Sequence, residues 1–582
     1  MKKNIIFLIS ILSVLTLMSC EDFLDRKPLT EITIDDFFNN AQDLETYTNG
    51  FYKFLSISFD DVGSDNVSIS TNSNTMYNMV NGDAVTSSNI SGWDKADWEK
   101  LRNINFFLNN IDRDKINALP EDINHYVGIA RFFRADYYYK KVKDYSAVPW
   151  YNKSMDVDDP DLYMGSSPRT QVIDSVLTDL EYAAKHIKPD IGSRTRINQY
   201  TALALMARIC LHEGTFRKYH TELKLEHTAE AFFDKAIWAC EEIMNSNKFS
   251  IYGSSGADYG AMFCALKLKD NPEMILVEET SEEVGKANNT HTVLGLYWGL
   301  SRSLMEDYLT DTGQLYSNIN ASGDVKSYLE VFENRDPRFK ETFAYPGFKE
   351  SETSKPYLTK LTLGGYIQLK FFPKDVNQRQ GWNRNYTSVP LYRYGEILLI
   401  YAEAKAEKGN LTQADLDKSV NLLRKRVQMP DIIYSSNIIS DIRRERRVEL
   451  ACEGFRLDDL KRWAEGRLLG EKPQGIHIFG FGAFDTTGDG IVDSALLPSP
   501  DNTSAIEHLP EEVKKNLNIS YLINENGKST GISLSGEDGK SGYIEFETSK
   551  NRKWQDKYYY IPIPKRQTIL NPKLQQPPGW EE

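Results

Sequence analysis

Cysteine and histidine are scarce here: five Cys and eight His in 582 residues. So few cysteines over so long a chain do not make a disulfide framework. Cys210, Cys240, Cys264 and Cys452 lie in mostly apolar helical contexts and read as packing residues. The histidines (His125, His186, His212, His220, His227, His291, His477 and His508) include no His-Glu-x-x-His zinc pair. His212 stands beside Glu213, but neighbours on a helix point to different faces. A Gly-x-Ser-x-Gly elbow and a phosphate loop are missing too. Acids are plentiful enough to leave a glycosidase carboxylate pair open, yet no spacing marks one. Basic residues are outnumbered, 69 Lys+Arg against 83 Asp+Glu, for a formal net charge of -14. That balance argues against nucleic-acid binding, which needs a basic surface to neutralise phosphates.

Long apolar runs are confined to residues 5–18, preceded by Lys2 and Lys3. A membrane-spanning helix needs about twenty such residues, so this run reads as an export signal. Leu17-Met18-Ser19-Cys20 is similar to a bacterial lipobox, in which the chain is cut before the Cys and the Cys is acylated. The plainer alternative is a secretory signal with a chance Cys. Glu21, not Asp, follows Cys20, unlike the signal that usually holds lipoproteins in the inner membrane. Two or more acyl chains make such anchoring stable. Loss of residues 1–19 takes two lysines and no acid from the charge, leaving -16. The expectation is a tethered, acidic, exported protein.

Helical periodicity runs through 36–59, 94–112, 121–145, 168–188, 197–215, 228–247, 391–409, 412–428 and 438–466. Residues 60–92, dominated by Ser, Asn, Thr, Gly and Asp, read as a long surface loop. The middle, 248–380, is loop-rich, and the tail from 470 mixes Gly-rich turns with short strands such as 558–562. Small residues recur on successive helices: Ala202, Ala204 and Ala207, then Ala231, Ala236 and Ala239. Close stacking of helix pairs in a tetratricopeptide-like manner needs such positions, although no clean 34-residue period is present. The expected organisation is a signal peptide at 1–19 and one mostly helical body, with 20–247 as its N-terminal part and 248–582 as its loop-rich C-terminal part.

Aromatic residues are abundant, with 32 Tyr, 27 Phe and 9 Trp. An exposed ring can stack on the C–H face of a sugar while Asn, Asp and Arg bond its hydroxyls. Three loop-like stretches offer this: Tyr77 and Trp93; Asn288, Asn289, Tyr297, Trp298 and Arg302; and Asn377, Trp382, Asn383 and Tyr386. Core packing is the competing explanation for each ring. The charge run Asp441 to Glu449 interleaves acids with arginines and reads as a salt-bridged helix packed on the body. Residues 485–493 match the start of an EF-hand-type loop, with Asp485, Thr487, Asp489 and Asp493 as oxygen donors, Gly490 at the turn and the carbonyl of Ile491. Leu496 stands where the bidentate Glu belongs, so a weak calcium site and a plain Asp/Gly turn both remain open. No cofactor is otherwise required.

Taken together, the chain resembles the SusD/RagB-type outer-membrane nutrient-binding lipoproteins from Cys20 to its end. Cys20-Glu21-Asp22-Phe23-Leu24-Asp25, Gly50-Phe51-Tyr52, Leu101 to Asn105, and Arg131-Phe132-Phe133-Arg134-Ala135 are similar to early family motifs. Asn334-Arg335-Asp336-Pro337-Arg338-Phe339, Arg393-Tyr394-Gly395-Glu396-Ile397, and Glu445 to Leu450 with Glu453-Gly454-Phe455-Arg456 are similar to its hallmarks. The end, Ile561-Pro562-Ile563-Pro564 and Gln576-Pro577-Pro578-Gly579-Trp580, departs only in Pro577, where Asn is common. The resemblance implies a mainly α fold with a tetratricopeptide-like scaffold and a few short strands. It further implies a non-catalytic lipoprotein on the outer-membrane surface that caps a SusC-like TonB-dependent transporter and captures oligosaccharides, or sometimes peptides. A lipid-anchored glycoside hydrolase, and a transporter-capping scaffold or peptide binder with little glycan affinity, are the alternatives.

Overall fold

The computed structural model describes residues 38–581 apart from 70–73, 83–89, 91, 157, 190–191 and 547–550. The signal stretch and Cys20 lie outside the described residues. Fourteen helices carry the argument: α1 (Ala41–Asn49), α2 (Thr75–Val80), α3 (Lys95–Asn109), α4 (Pro120–Tyr145), α5 (Arg169–His186), α6 (Gln199–Tyr219), α7 (Ala229–Asn245), α8 (Gly256–Met262), α9 (Arg302–Asp307), α10 (Tyr394–Lys408), α11 (Gln413–Asp417), α12 (Val420–Arg426), α13 (Ile438–Glu449) and α14 (Arg456–Arg462).

Local chemistry sets their ends. Pro120 opens α4, where its missing N–H costs nothing, and Asn198 with Thr201 caps α6 reciprocally. Gly409 closes α10 at φ 78°, a left-handed position that suits glycine. The helices stack in pairs, α4 along α5 and α6 along α7, with α10 laid on α7 and α13 on α10. Ala202, Ala204, Ala207, Ala236 and Ala239 are buried at these crossings. Gly214 lets α6 and α7 approach: a Cβ there would stand 2.7 Å from the Phe233 ring. The mainly α, helix-pair scaffold is therefore present. Its apolar core runs from Phe38 to Ile563 and draws on residues either side of 247.

Three expectations need correction. The 412–428 periodicity breaks into α11 and α12, because Ser419 leaves the helical region (φ -131°, ψ -100°). The 438–466 periodicity breaks into α13 and α14. Cys452 (φ 64°) and Gly454 (φ 81°) turn the chain, and their N–H groups donate to Asp61. Residues 558–562 form no strand. A 3-10 turn covers Asp556–Tyr559, and the Ile561 N–H goes to the Asp144 carbonyl.

Ten short strands complete the described fold: β1 (Val67–Ile69), β2 (Met274–Glu278), β3 (Trp298–Leu300), β4 (Val389–Arg393), β5 (Gln474–Ile478), β6 (Gly482–Phe484), β7 (Ser494–Leu497), β8 (Asn518–Tyr521), β9 (Ile532–Leu534) and β10 (Gly542–Phe546). They form small sheets β1-β3, β2-β4, β5-β10-β9 and β6-β7-β8. All pairings are antiparallel except β7 with β8. These strands and the loops between them enclose a second core, around Tyr259, Phe339, Tyr366 and Ile544.

Charge is buried where the sequence shows its motif-like runs. Arg338, Lys370, Arg393, Arg424 and Arg426 meet Glu273, Asp336, Glu445, Glu449 and Glu453, so five cations balance five carboxylates. Glu449 alone accepts from Arg338 (2.8 Å), Arg393 (2.7 Å) and Arg426 (2.6 Å). Burial opposes its ionisation, but these three guanidiniums outweigh that and hold its carboxyl well below the usual range. The charge run of α13 is thus a salt-bridged helix packed into the body: Glu445, Arg446, Arg447 and Glu449 are all buried.

Candidate functional site

Two stretches singled out in the sequence meet in space. The Asn288 N–H donates to the Asn385 carbonyl (2.8 Å), and the Asn288 amide donates to the Thr387 carbonyl (2.6 Å). Next to this bridge, the Asn383 N–H donates to Asn289 Oδ1 at 2.7 Å, and Asn289 Nδ2 donates back to Asn383 Oδ1 at 3.0 Å. Asn385 Oδ1 accepts from the Thr290 hydroxyl (2.8 Å) and the His291 N–H (3.0 Å). Asn383 sits at φ 57°, a left-handed turn that Asn tolerates better than other side chains bearing a Cβ.

This clamp presents Trp382, which is 57% exposed. The His291 ring stands edge-on to it, with centroids 6.0 Å apart at 76°. Burial lowers the His291 pKa below its ordinary value, keeping the ring neutral near pH 7. Arg384 is exposed and has no partner among the described residues. An open indole face beside amides and a neutral imidazole can stack on an apolar ring face and bond hydroxyls. Tyr297 is also exposed, and Tyr386 is half-buried with its N–H on Gln378.

Other expected contacts belong to the interior. Tyr77 is buried on α2 under the Arg552 guanidinium, so part of the 60–92 stretch is core and not surface loop. Trp93 packs its edge on Tyr145 (4.7 Å) and Trp98 (5.1 Å). Trp298 lies on β3 opposite Ile69, with its indole N–H on Gln368. None of the three offers a ring face to solvent. Arg302 opens α9 and lies over the Tyr543 ring, 3.8 Å from its centroid, bonded to Glu306 and Gln474.

Residues 485–493 form a tight loop between β6 and β7. Asp485 accepts N–H groups from Thr487 (2.9 Å), Gly488 (2.6 Å) and Gly490 (2.8 Å). Partial burial disfavours its charge, yet these donations hold its pKa below the ordinary value. Asp493 accepts from Thr486 and Thr487, and Asp489 from the Ile491 N–H. The carboxylates thus turn to the backbone of their own loop. Among the described residues no group of three or more His, Cys, Asp or Glu side chains converges as a metal set.

A cavity of about 180 Å³ is lined by His212, Arg208, Glu396, Lys143, Asp458, Arg446 and Asp459. Its charges are already paired, as Arg208 with Glu396 and Arg446 with Asp459, so it belongs to the scaffold. His212 is buried, and desolvation pushes its pKa well down. Glu213 points elsewhere, to Arg169 and Arg217. The sequence reading missed His291 as the partner of Trp382, and missed the ring series His477, Phe479 and Tyr543. The alternation His477-Ile478-Phe479 was the available signal, placing two rings on one side of the chain.

Residues 241–580 match the model of the SusD family, more than half of the chain. The chain belongs to the SusD family. Residues 22–211 match a second model, described as "Starch-binding associating with outer membrane". A SusD-like protein of Formosa agariphila, P2, is 23% identical over 507 residues, covering 79% of this chain and 91% of its own length. A crystal structure of a SusD-like protein from Bacteroides fragilis superposes with a TM-score of 0.69 at 20% identity, covering 95% of this chain and all of that one. A second structure from Bacteroides fragilis, described as a SusD-like carbohydrate binding protein, gives 0.68 at 18% identity, with 93% and 100% coverage. These likenesses extend the SusD fold over both parts of the chain. Among the described residues no helix is long and apolar enough to cross a membrane.

Proposed function

We infer that this SusD-family chain is a surface lipoprotein, anchored to the outer membrane through acylated Cys20. It binds oligosaccharides without covalent chemistry and passes them to a SusC-like TonB-dependent transporter. The observation that carries the binding step is the exposed Trp382 face, fixed by the reciprocal Asn289–Asn383 bonds beside a neutral His291. A rigid ring with nearby amide donors and acceptors suits a neutral sugar, because little side-chain entropy is lost on contact. The match to a starch-binding, outer-membrane-associating model and the fold shared with a carbohydrate binding protein support the same reading.

The test is isothermal titration of residues 21–582 with neutral plant, mucin and microbial oligosaccharides, each mixture then assayed for products. Saturable binding without product formation is expected. Product formation would make the chain a glycoside hydrolase. Silence across the panel would remove the glycan step and leave a peptide-binding or transporter-capping scaffold.

A further inference from the structure

The outward face of the β5-β10-β9 sheet has a polar series and a ring series side by side. Pleating, with a bulge in β5 between His477 and Gln474, turns Ile476, Ile478, Ile532, Leu534, Ile544 and Phe546 into the second core and leaves Gln474, His477, Tyr543 and Glu545 outside. His477 lies opposite Tyr543 in the ladder, and Gln474 opposite Glu545. The polar series is one continuous hydrogen-bonded chain. Arg302 donates to Glu306 (2.7 Å) and to Gln474 Oε1 (3.0 Å), Gln474 Nε2 donates to Glu545 (2.8 Å), and Lys472 reaches the other Glu545 oxygen (3.3 Å). The ring series runs from Tyr543, under Arg302, to His477 (4.9 Å) and on to Phe479 (4.7 Å), which is 61% exposed.

Two polar atoms here have no partner among the described residues. Asn318 is 3% exposed and donates through Nδ2 to the Tyr543 hydroxyl (2.8 Å), but its buried Oδ1 accepts nothing. The buried Nδ1 of His477 is likewise unmatched. Buried polar atoms are rarely left so unless water or a ligand completes them. The charges on this face cancel, Arg302 and Lys472 against Glu306 and Glu545, so it holds no net field for an ion. One exposed ring amid directional polar groups is also too small an apolar area for a stable protein interface.

From this arrangement we propose that the Phe479–His477–Tyr543 face is a second carbohydrate-contact site, taking an uncharged sugar ring on Phe479. Its hydroxyls would bond the part-exposed polar series of Lys472, Arg302 and Gln474. The proposal rests on the carbohydrate reading above and shares no residue with the Trp382 site. The test titrates wild type, Phe479→Ala, Gln474→Ala, Trp382→Ala and the Phe479/Trp382 double variant with neutral laminari-, malto- and xylo-hexasaccharides. Phe479→Ala and Gln474→Ala are expected to weaken binding of at least one hexasaccharide about 5–30-fold, the range of a contact worth about 1–2 kcal/mol, with unchanged melting temperature in Phe479→Ala. The double variant should bind worse than either single one. Wild-type affinity in both Phe479→Ala and Gln474→Ala would overturn the second site while leaving the Trp382 reading standing. A wild type that binds neither these hexasaccharides nor any oligosaccharide of the wider plant, mucin and microbial panel would overturn both. Unchanged sugar affinity with an altered oligomeric state in Phe479→Ala would assign the face to protein contact and overturn it as well.

Discussion

Asn289 and Asn383 exchange two hydrogen bonds across 94 residues of chain, at 2.7 and 3.0 Å. The Asn289 amide accepts from the Asn383 backbone N–H and donates to the Asn383 side-chain oxygen, which fixes the orientation of both side chains and the backbone at Asn383. Trp382, one residue away, inherits that placement. An exposed ring on a loop loses conformational freedom when it binds, and a preset ring loses less.

Trp382→Ala is therefore expected to raise the dissociation constant for a bound oligosaccharide about 5–30-fold, with little change in melting temperature, since the side chain is mostly exposed. Asn289→Ala should weaken binding by a smaller factor, because it removes the clamp and keeps the ring. Titration of both variants with the same ligand checks this. Equal affinity in wild type and Trp382→Ala would remove the ring from the site.

Asp61 supplies a pH-dependent term. It is fully buried and accepts from the Cys452 N–H (2.6 Å), the Gly454 N–H (3.0 Å) and Asn66 (2.8 Å). Burial outweighs these donations and pushes its carboxyl up to about 6 from an ordinary 3.8. A pKa raised by folding contributes stability that is present below about 3.8 and lost as pH rises through about 6, about 3 kcal/mol in all. Asp61→Asn lacks this term and sets an amide against three donors. The stability gap between wild type and Asp61→Asn should widen as pH falls from 7 to 4.5. Thermal melts across that range decide it, and a gap that narrows would refute the assignment.

The helical scaffold was readable because periodicity and small-residue positions are local: seven of the nine helical stretches read from the sequence hold one α-helix each, although within 36–59 it covers only Ala41–Asn49 and a separate 3-10 turn follows at Tyr52–Phe54. Where the reading failed, a distant partner intervened. Gly454 was the one local sign of the break within 438–466, and the acceptor that holds the turn at Cys452 is Asp61, 391 residues away. Tyr77, Trp93 and Trp298 looked like loop rings because they stand in or beside stretches without a long periodic pattern, whereas their neighbours in space are Arg552, Tyr145 and Gln368. Trp382 was legible, and its partners Asn289 and His291 became visible only when two loops met.

Glu449→Gln should be among the most damaging single substitutions in the scaffold. Three guanidiniums converge on that carboxylate, and neutralising it leaves a buried cluster with one uncompensated positive charge. Breaking a buried ion pair from one side costs about 3–5 kcal/mol. A carboxyl held below its ordinary value contributes stability above pH 4.5 and loses it as pH falls further, opposite in sign to Asp61. The variant should unfold at clearly lower urea than wild type at pH 7, and the difference should shrink in strong acid. A variant matching wild type at pH 7 would mean that the cluster relaxes around the amide.

The 485–493 loop gives a prediction that turns on hydrogen-bond accounting. A calcium loop needs carboxylate oxygens facing one centre, with six to eight oxygen ligands at about 2.3–2.6 Å. Here Asp485 spends both oxygens on N–H groups of Thr487, Gly488 and Gly490, and Asp493 spends its own on Thr486, Thr487 and Ser494. Bringing these groups onto a cation would compete with bonds already made, and we propose that the loop holds its shape without one. Asp485→Ala should lower the melting temperature by removing those acceptors, whereas EDTA and millimolar calcium should each leave wild type unchanged. A ligand that binds only the folded state stabilises in proportion to the logarithm of its concentration. A melting temperature rising steadily with calcium, and losing that rise in Asp485→Ala, would therefore show that the loop reorganises around the ion.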